Sequence, residues 1–578
     1  MGPLRRILTS PVRLSGGLHL AHLTMLASAD AVVRYHRAAG IPVTWEAACM
    51  AGDLGAQAAV ERQLSQAGQR RADLGREAFV ERVRAFEVDC RAQVAAQLGH
   101  LGIEADLESG AIDQEAVARA ARTAFVRLYE AGLLSREERV VAACPRCETV
   151  VDRADVTGVD VPEERLTLRL ERVDGDGVVN VSLVEVELLP GVVAVAVPPD
   201  DPAAGHRVEV PLAGGPVPVT AEPGLTEAQL VVPAHDAEAL TIARRLGLAP
   251  VEVLDAAGVV RVAGPLDGLA RYAARTEARE VLVAEGAVVS TAETVERHER
   301  CRRCGTVLVP RLGQHWFLPM ADLEVAAADV MRQGAVEFAP ASARDDLLTR
   351  AGHGGDWCLS HQVWAGQPVP VATCLDCGSL DVAVEPSTSC GKCMGTLAAG
   401  DDVLDARFIG ALWPLSAAGW PDDQAGPAAA AAETMLVVSA IGVAWWALPM
   451  AALGVRLAEV VPFAYVAAEP VAATEDDPDP SLPVDLERRT ADTGHRAVRA
   501  ALVAGGLDLD AGRALVELVE APPAGEGSVD EFADACIAAY EAGTPSGAVA
   551  QLAGFLPGGV HPADVPRVLD LAAPILGD

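Results

Sequence analysis

Eight of the 12 cysteines fall into four Cys-x-x-Cys pairs, a spacing that lets two thiolates of one tight turn bind the same metal ion. Four thiolates around one ion are typical of structural zinc sites, and this cysteine usage favours metal binding in a reducing compartment over a disulfide framework. The pairs are Cys144 with Cys147, Cys301 with Cys304, Cys374 with Cys377, and Cys390 with Cys393.

The last two pairs give the strongest local signal, because only 12 residues separate them. Gly378 and Gly391 allow the tight turns of a zinc knuckle over residues 374–393. The first two pairs can share one ion only if the fold brings residues 147 and 301 together. The alternative for both sets is a group of reduced thiols that bind no metal.

A second candidate site is the stretch Ser15–His22, a Gly-rich turn that runs into an amphipathic helix. His19 and His22 are three residues apart, so they share one face at the helix N-terminus. Free backbone N–H groups and the helix dipole favour an anion there. Two imidazoles beside such a site could contact a phosphate. The alternative is a glycine turn with two surface histidines.

The elements that must position these residues change character along the chain. Residues 1–155 alternate strand and helix patterns, which predicts an α/β domain with a parallel, doubly wound sheet. Residues 156–300 have alternating apolar residues between Gly and Pro turns, which predicts a mainly β insertion. Residues 301–470 return to the first domain. An acidic, Pro-bearing linker over 471–487 and a helical tail over 488–578 follow.

Periodicity also predicts individual elements of this plan. Residues 434–455 carry no charge and are long enough to cross a membrane. Ser439, Gly442 and Pro449 can instead divide them into a buried strand and a buried helix, and we favour this buried core over a membrane partner. Helical patterns cover 56–64, 79–99 and 115–129, and strand patterns cover 43–45, 166–173 and 192–197.

The charge of the chain limits its partners. Lys and Arg number 46 and Asp and Glu number 81, so the net charge is −35, and Lys392 is the single lysine. Affinity for nucleic acid comes largely from cations, so this surface repels nucleic acid unless a local basic face exists. His19 and His22 interrupt the apolar N-terminal run, which disfavours a secretion signal and leads us to expect a cytoplasmic protein.

Gly17–His22 resembles the nucleotide-binding signature of class I aminoacyl-tRNA synthetases, and further matches follow in the order found in valyl-tRNA synthetases. The resemblance covers residues 10 to about 500. It implies a Rossmann-like class I synthetase catalytic domain split by an editing-type insertion, with zinc ribbons. The further matches are Asp73–Glu77, Phe125–Tyr129 with Gly132–Leu133, Cys144–Cys147, Pro233–Asp236, Trp316–Phe317, Asp356–Ser360, Asp402–Asp405 and Ala411–Pro414.

The nucleotide site implied by the resemblance is incomplete. It comprises Gly17, His19, Ala21 and His22, but the family has glycine where this chain has Ala21, and adenine packs on that residue. The extra methyl either is tolerated or displaces the base. The family's mobile loop carries lysines that stabilise phosphate charge, whereas the matching stretch, Ala467–Asp485, is acidic and contains no lysine.

The amino-acid and editing sites implied by the resemblance differ as well. The family's Asp-His, whose Asp binds the substrate's α-ammonium, falls on Met50 and Ala51. Met50 cannot neutralise an ammonium, and the nearby Asp53 is the alternative. Asp236 matches the family's editing Asp, although a helix N-terminus would also explain it. The Thr-rich editing segment is replaced by Glu185–Pro190, which lacks hydroxyl groups.

Three functional hypotheses follow from these differences. The first is a degenerate, C-terminally truncated valyl-tRNA synthetase-like protein that has lost ordinary aminoacylation and binds ATP, an aminoacyl adenylate or an unknown protein partner. The second is an active ATP-dependent ligase for valine or a related amino acid, working with altered residues. The third is an aminoacyl-ester hydrolase acting through the insertion. The acidic charge and the short tail argue against tRNA binding.

Overall fold

The computed structural model describes most of the chain up to residue 421. Among the residues discussed above, His19, Ala21, the stretch 467–485, the linker and the helical tail lie outside the described residues. The described residues are 5–18, 41–100, 114–334 and 355–421 except 386 and 418, the strands at 434–438 and 459–462, and parts of 22–37, 103–107 and 337–349.

The chain forms two compact units. We call residues 1–134, 318–357 and 364–578 the α/β unit, and residues 135–317 with 358–363 the β-rich unit. Among the described residues, the helices with both ends defined are, in chain order, α1 (Leu54–Gln66), α2 (Arg71–Leu74), α3 (Arg76–His100), α4 (Gln114–Glu130), α5 (Ala237–Leu246), α6 (Arg271–Ala284), α7 (Ala321–Arg332), α8 (Ala406–Ala411) and α9 (Trp413–Ala417). The described residues within 22–37 and 344–349 are helical as well. The 3-10 helices are Arg153–Asp155 and Val186–Gly191.

The strands of the part of the chain that the structure describes are numbered in chain order. They are β1 (Arg5–Thr9), β2 (Val12–Arg13), β3 (Val43–Glu46), β4 (Cys49–Met50), β5 (Ser135–Cys144), β6 (Thr149–Val150), β7 (Val156–Glu171), β8 (Val178–Leu183), β9 (Ala194–Val197), β10 (Arg207–Val208), β11 (Val217–Ala221), β12 (Gln229–Val231), β13 (Val288–Cys301), β14 (Val309–Leu318), β15 (Glu337–Phe338), β16 (Trp357–Cys358), β17 (Ser360–His361), β18 (Val371–Cys374), β19 (Leu380–Val382), β20 (Leu397–Ala399), β21 (Val403–Leu404), β22 (Thr434–Val438) and β23 (Glu459–Pro462).

Within the described part of the α/β unit, five parallel strands form one sheet in the order β15-β23-β22-β1-β3. β1 lies inside this sheet, with Ile7 opposite Met435 on one side and Trp45 on the other. The strand ends at Thr9, and the chain then enters β2 and the Gly-rich turn. The turn therefore follows the carboxyl end of an inner parallel strand, where α/β sheets bind their ligands.

Helix α3 connects two apolar clusters of the α/β unit. Its buried residues Phe79, Val83, Cys90, Val94 and Leu98 recur every three to four positions or multiples of that, as one face of a helix requires. The first two belong to a cluster with α1, and the last three belong to a cluster with the Gly-rich turn and β4. This packing fixes α1, α3 and the turn as one assembly.

The β-rich unit is organised around the long antiparallel pair β7 and β13. The pairing runs from Val156 opposite Cys301 to Leu168 opposite Val288, and β8 adds to the other edge of β7. Another sheet of the unit has the order β10-β11-β9-β12. Val, Leu and Ala side chains from these strands and from α6 form one shared core.

β5 and β14 pair antiparallel over nearly their whole length, from Ser135 opposite Phe317 to Ala143 opposite Val309. Because β5 begins the segment 135–317 and β14 lies at its end, the two ends of the segment are adjacent within the β-rich unit. β5 continues into the turn of the first cysteine pair.

The patterns in the sequence correspond to observed elements. The helices predicted over 56–64, 79–99 and 115–129 are present as α1, α3 and α4, each slightly longer at both ends. The strand pattern 166–173 is the second half of β7, which begins at Val156. Gly158 interrupts the apolar alternation in the first half, but β13 supplies the backbone partners there.

The uncharged stretch 434–455 begins with β22, which lies inside the parallel sheet, and residues 439–455 are outside the described part. No helix among the described residues is long and apolar enough to cross a membrane. The domain boundaries predicted near residues 155 and 300 stay predictions.

Candidate functional site

The structure brings the first four cysteines together inside the β-rich unit. Cys144 ends β5 and Cys301 ends β13, and Cys147 and Cys304 follow in the adjoining turns. The four Sγ atoms lie within 4.8 Å of one another, and those of Cys144 and Cys304 are 3.4 Å apart. Three of the four side chains are buried and Cys304 is partly exposed. We call these residues the first cysteine set.

The second cysteine set comprises Cys374, Cys377, Cys390 and Cys393 and lies in the α/β unit. Cys374 Sγ is 3.4 Å from Cys393 Sγ, and Cys377 Sγ is 3.7 Å from Cys390 Sγ. The Ser379 hydroxyl lies 3.0 Å from Cys377 and 3.2 Å from Cys390. Cys374 and Cys390 are buried, whereas Cys377 and Cys393 are exposed.

All four Cys-x-x-Cys turns use one local device, a left-handed residue directly after the second cysteine. These residues are Glu148, Gly305, Gly378 and Met394, with φ between 51° and 74°. Where the hydrogen bond is described, the left-handed residue donates its N–H to the carbonyl of the first cysteine at 2.8–2.9 Å. Gly378 therefore has the turn role that its position suggests, but in the last turn Met394 has that role and Gly391 does not.

Both sets fit the geometry that zinc requires. Tetrahedral zinc with bonds of 2.3 Å holds its four sulfurs about 3.8 Å apart. The closest sulfur contacts of the two sets are 3.4 Å and 3.4–3.7 Å, and each set keeps its four sulfurs within 4.8 Å. All four ligands of each site would be protein thiolates, which is the arrangement of a structural zinc site.

The Gly-rich turn is held against α3. The backbone N–H of Leu18 donates to Oε1 of the buried Gln97 at 2.7 Å. A Cβ on Gly17 would lie 2.9 Å from Nε2 of Gln93, so glycine allows the close approach. His22 and the other described residues up to position 37 are helical, in agreement with the predicted helix. The sharing of one face by His19 and His22 stays a prediction.

Met50, the residue that the resemblance aligns with the family's Asp, lies in β4 opposite Arg13 of β2, the strand that leads into the Gly-rich turn. Its carbonyl accepts the N–H of Leu14 at 3.0 Å, and its side chain is 8% exposed. A Cβ on Gly410 of α8 would lie 3.6 Å from the Met50 methyl carbon, so the thioether packs directly on that helix. The position aligned with the family's ammonium-binding Asp is thus occupied by a packed apolar side chain.

Asp53, the alternative partner for an ammonium, is engaged in the structure. It is 4% exposed and caps α1, because Oδ1 accepts the N–H of Ala56 at 2.9 Å. Its other oxygen, Oδ2, lies 3.6 Å from Nη1 of Arg13. A Cβ on Gly55 would lie 2.7 Å from the Ser15 Cβ, so the first turn of α1 packs on the Gly-rich turn. Asp53 therefore stabilises this corner of the unit.

Glu87 is a residue of this region that sequence reasoning missed. It is 7% exposed and accepts the N–H of Gly52 at 2.6 Å. Burial raises the pKa of Glu87 to about 7; the Gly52 hydrogen bond lowers it and the charge of Asp53 raises it. The signal in the sequence was available, because Glu87 interrupts the apolar stripe of α3 between Val83 and Cys90. A buried acid that titrates near neutral pH is a functional-site candidate.

A buried ion pair positions α1 from its other side. Arg71 donates to Glu61 at 3.0 Å, and the two side chains are 6% and 11% exposed. The Arg71 guanidinium lies 4.8 Å from the ring centroid of Trp364, and the backbone N–H of Trp364 donates to Oε1 of the buried Gln57 at 2.8 Å. Phe79 meets the same indole edge-on at 5.5 Å. This network stabilises the helix that Asp53 caps.

In the β-rich unit, Asp236 caps α5 and is exposed. Its Oδ1 accepts the N–H of Ala239 at 2.7 Å. The neighbouring His235 is buried, with Nδ1 2.7 Å from the Pro310 carbonyl and Nε2 accepting the N–H of Val253 at 3.2 Å. Burial lowers the pKa of His235 to about 4, so the imidazole is neutral at pH 7. Both side chains have structural partners.

The segment Glu185–Pro190 holds a buried charge network. Glu187 is fully buried and receives Arg271 Nε at 3.0 Å and Arg275 Nη2 at 2.7 Å. Arg275 also donates to Glu163 at 3.1 Å. Although burial lowers the pKa of Arg275, its contacts with Glu187 and Glu163 raise it overall. Where the resemblance expects hydroxyl groups, the structure has two arginines paired with acids.

Comparison with known families identifies the fold to which these features belong. The family model of class I tRNA synthetases (I, L, M and V) matches residues 6–476. This range includes the Gly-rich turn, both cysteine sets and the segment between them.

The chain is similar to several valine–tRNA ligases. The enzymes of Desulfotalea psychrophila and Carboxydothermus hydrogenoformans are each 33% identical to it, over 469 and 470 residues, which is 79% of this chain and 53% of each relative. The enzyme of Thermotoga maritima is 32% identical over 474 residues, 80% of this chain and 55% of the relative. The chain thus spans about half the length of the curated relatives it matches.

Proposed function

Because this chain belongs to the class I tRNA synthetase family (I, L, M and V), we propose that it is a valyl-tRNA synthetase-like protein that binds ATP or an aminoacyl adenylate but is defective in ordinary aminoacylation. The observation that carries the proposal is the state of the amino-acid pocket. Met50 packs on α8, and Asp53 is committed to capping α1 and to Arg13. An ammonium buried beside a thioether would lose its hydration without gaining a partner.

The distribution of cations supports the same proposal. Phosphate charge that develops during adenylate formation needs fixed cationic or hydrogen-bonding groups, and removing one such group costs about 3–4 kcal/mol in other enzymes. Within the matched range, the single lysine is Lys392, and it lies between Cys390 and Cys393 of the second cysteine set. The stretch 467–485, aligned with the family's lysine loop, is acidic.

The remaining parts of the proposal concern architecture. We assign zinc to each cysteine set, and we assign residues 156–300 to an editing-type insertion whose hydrolytic groups are replaced by the Glu187 network. Free thiolates as metal ligands fit a reducing compartment, so we assign the protein to the cytoplasm. The relatives are named as tRNA ligases, and neither the structure nor the comparisons support the expectation that tRNA does not bind.

The test is ATP–pyrophosphate exchange with a panel of amino acids, combined with calorimetric titration of ATP and of a non-hydrolysable valyl-adenylate analogue. We expect binding of the nucleotide without exchange above background. Robust exchange with any amino acid would overturn the defect. Absence of binding to both ligands would overturn the nucleotide site, so the two parts of the proposal are measured separately.

Met50 allows a sharper experiment, because the pocket can be given back its carboxylate. Met50→Asp should strengthen binding of the valyl-adenylate analogue about tenfold, the typical worth of one charge-assisted hydrogen bond. Met50→Leu is the matched control, since it keeps an apolar side chain of similar size, and it should leave binding unchanged. Equal binding by both variants would contradict the position assigned to the ammonium.

One observation favours the alternative of an active ligase. Glu87 is a buried carboxylate beside Gly52 and Asp53 that titrates near neutral pH, so it could replace the missing Asp as the partner of the α-ammonium. In that case, exchange would be measurable with one amino acid and would be lost in Glu87→Gln. Exchange that survives Glu87→Gln would exclude this role.

A further inference from the structure

We propose that the second cysteine set is an oxidant-sensitive modification site, at which hydrogen peroxide converts zinc ligands into disulfides and releases the ion. The inference rests on the zinc occupancy proposed above and goes beyond it by separating the two sets. The first set has three buried sulfurs and one partly exposed sulfur. The second set has two exposed sulfurs, those of Cys377 and Cys393.

The geometry gives each exposed sulfur a buried partner within reach. Cys377 Sγ lies 3.7 Å from Cys390 Sγ, and Cys393 Sγ lies 3.4 Å from Cys374 Sγ. A disulfide of about 2.0 Å therefore needs a movement of less than 2 Å in either pair. The partners belong to different Cys-x-x-Cys turns, so we expect the disulfides Cys377–Cys390 and Cys374–Cys393.

The surroundings of the exposed sulfurs admit a small oxidant. Leu375 lies within the first turn and Met394 directly follows the second, and these side chains are 68% and 75% exposed, so both turns reach the protein surface. The Ser379 hydroxyl lies 3.0 Å from Cys377 and 3.2 Å from Cys390, within hydrogen-bonding distance of both sulfurs that must meet and to one side of the line that joins them. Oxidation of cysteine follows thiolate character and exposure, and metal-bound thiolates with solvent access satisfy both.

The reaction balances with peroxide as the oxidant. The Cys377 thiolate attacks one peroxide oxygen, the O–O bond breaks, and a sulfenic acid and hydroxide form. The Cys390 thiolate then attacks that sulfur, an S–S bond forms, and a second hydroxide leaves. Two protons from solvent convert the hydroxides into two waters. Two sulfurs are oxidised and both peroxide oxygens are reduced, and a second peroxide forms the Cys374–Cys393 disulfide in the same way, starting at the exposed Cys393. The loss of these thiolates would release a bound zinc ion.

The experiment uses the full chain, with zinc content measured before any oxidant is added. Peroxide is titrated while a chromogenic chelator follows zinc release and mass spectrometry maps the disulfides. We expect the second set to lose its zinc about tenfold faster than the first, as exposure of a thiolate predicts, and dithiothreitol with added zinc to restore it. The mapped bonds should be Cys377–Cys390 and Cys374–Cys393.

Variants assign the released zinc to its site. Cys374→Ser with Cys377→Ser should remove the fast phase, and Cys144→Ser with Cys147→Ser should remove only the slow phase. If the latter pair prevents folding, differential alkylation of the wild-type chain replaces it. Equal release from both sets, or fast release from the first set, would overturn the inference. A chain that contains no zinc before oxidation would overturn the zinc assignment instead, which separates the two failures.

Discussion

Two buried carboxylates, one in each unit, differ in the hydrogen-bond and ion-pair partners that compensate their charge. Glu187 in the β-rich unit is fully buried and receives hydrogen bonds from two arginines. Glu87 in the α/β unit is 7% exposed and accepts the backbone N–H of Gly52, with Asp53 nearby as a like charge and Arg84 and Arg91 as opposite charges that lower its pKa less than burial raises it. A fully paired buried charge is costly to break because removal of one partner leaves the other uncompensated, whereas burial of a carboxylate with few partners raises its pKa toward neutrality.

This difference teaches where chemistry could remain in the molecule. In the β-rich unit, Glu187 and two arginines form a buried ion-pair network at the segment where the family resemblance expects hydrolytic groups. In the α/β unit, the buried Glu87 lies beside Gly52 and has a pKa raised to about 7. We therefore expect residual ligand binding in the α/β unit. If the partners of a buried acid determine its behaviour, acids with similar partners should respond alike to substitution, whichever unit they lie in.

The largest expected effect is on Glu187. Glu187→Ala leaves Arg271 and Arg275 buried beside fewer acids, and removal of one partner from a buried ion pair typically costs about 3–5 kcal/mol. Hydrogen–deuterium exchange of peptides from α6 and the segment 185–191 measures the local loss. Glu296→Ala is the control, because its pair with Arg165 is more exposed and should contribute less than about 1 kcal/mol. Equal effects of both variants would contradict the claim that the buried Glu187 network matters more for stability than the exposed Glu296 pair.

Glu87 is expected to show the next largest effect, as a pH dependence. Its folded pKa is raised from 4.5 to about 7, so the protonated acid favours the folded state. The stabilisation is complete below about pH 4.5 and is lost as the pH rises through 7, an effect of about 3 kcal/mol at 1.4 kcal/mol per pKa unit. Glu87→Gln should abolish this component of the pH dependence.

Urea unfolding between pH 5 and 8, followed by tryptophan fluorescence, measures the Glu87 effect in the α/β unit, where Trp45 and Trp364 lie. Glu81→Gln is the matched control, because Glu81 is on the same helix and is 77% exposed. It should retain the wild-type pH dependence. If Glu87→Gln leaves the pH profile unchanged, the charge of Glu87 is compensated by its partners as fully as the charge of Glu187.

The sequence predicted local elements better than it predicted charge pairing. The apolar repeat of α3 was readable because it depends on one segment, whereas the hydrogen bond between Leu14 and Met50 joins residues that no local pattern connects. The partners of Glu187 are 84 and 88 residues away, so no local pattern could identify them. Glu87 was readable as an acid in an apolar stripe, but its pKa depends on how deeply α3 is buried.

The two cysteine sets illustrate the same limit. The second set was predictable from spacing alone, because 12 residues separate its pairs. The first set required the pairing of β5 with β14 and of β7 with β13, which only the whole unit determines. Its sulfurs nevertheless lie together, while zinc itself stays a prediction.

A paired acid in the α/β unit provides a direct test of location against pairing. Glu61 lies in the same unit as Glu87 but is paired with Arg71 at 3.0 Å. Glu61→Gln should destabilise the α/β unit by about 2–3 kcal/mol, because it leaves the Arg71 charge buried with weaker partners. The loss should be constant between pH 6 and 8. If the loss varies across this pH range, the pH dependence of stability depends on the unit in which a buried acid lies and not on its ion-pair partner.

The smallest expected effects come from the two helix caps, Asp53 and Asp236, which share a role and differ in burial. Loss of a cap costs about 0.5–2 kcal/mol. Asp53→Ala should fall at the upper end, because Asp53 is 4% exposed and lies 3.6 Å from Arg13, whereas Asp236→Ala should fall at the lower end because Asp236 is exposed. Hydrogen–deuterium exchange of α1 and α5 measures both losses.

Substitution of Asp53 by asparagine separates the cap from the charge. Asn caps a helix about as well as Asp, so Asp53→Asn should keep most of the stability of α1. It removes the like charge that helps to raise the pKa of Glu87, so the pH dependence assigned to Glu87 should move to lower pH. Asp236→Asn, in the other unit, should leave that pH dependence unchanged. If Asp53→Asn also left it unchanged, burial alone would hold the pKa of Glu87 near neutrality, and the contrast with Glu187 would reduce to the number of hydrogen bonds each acid receives.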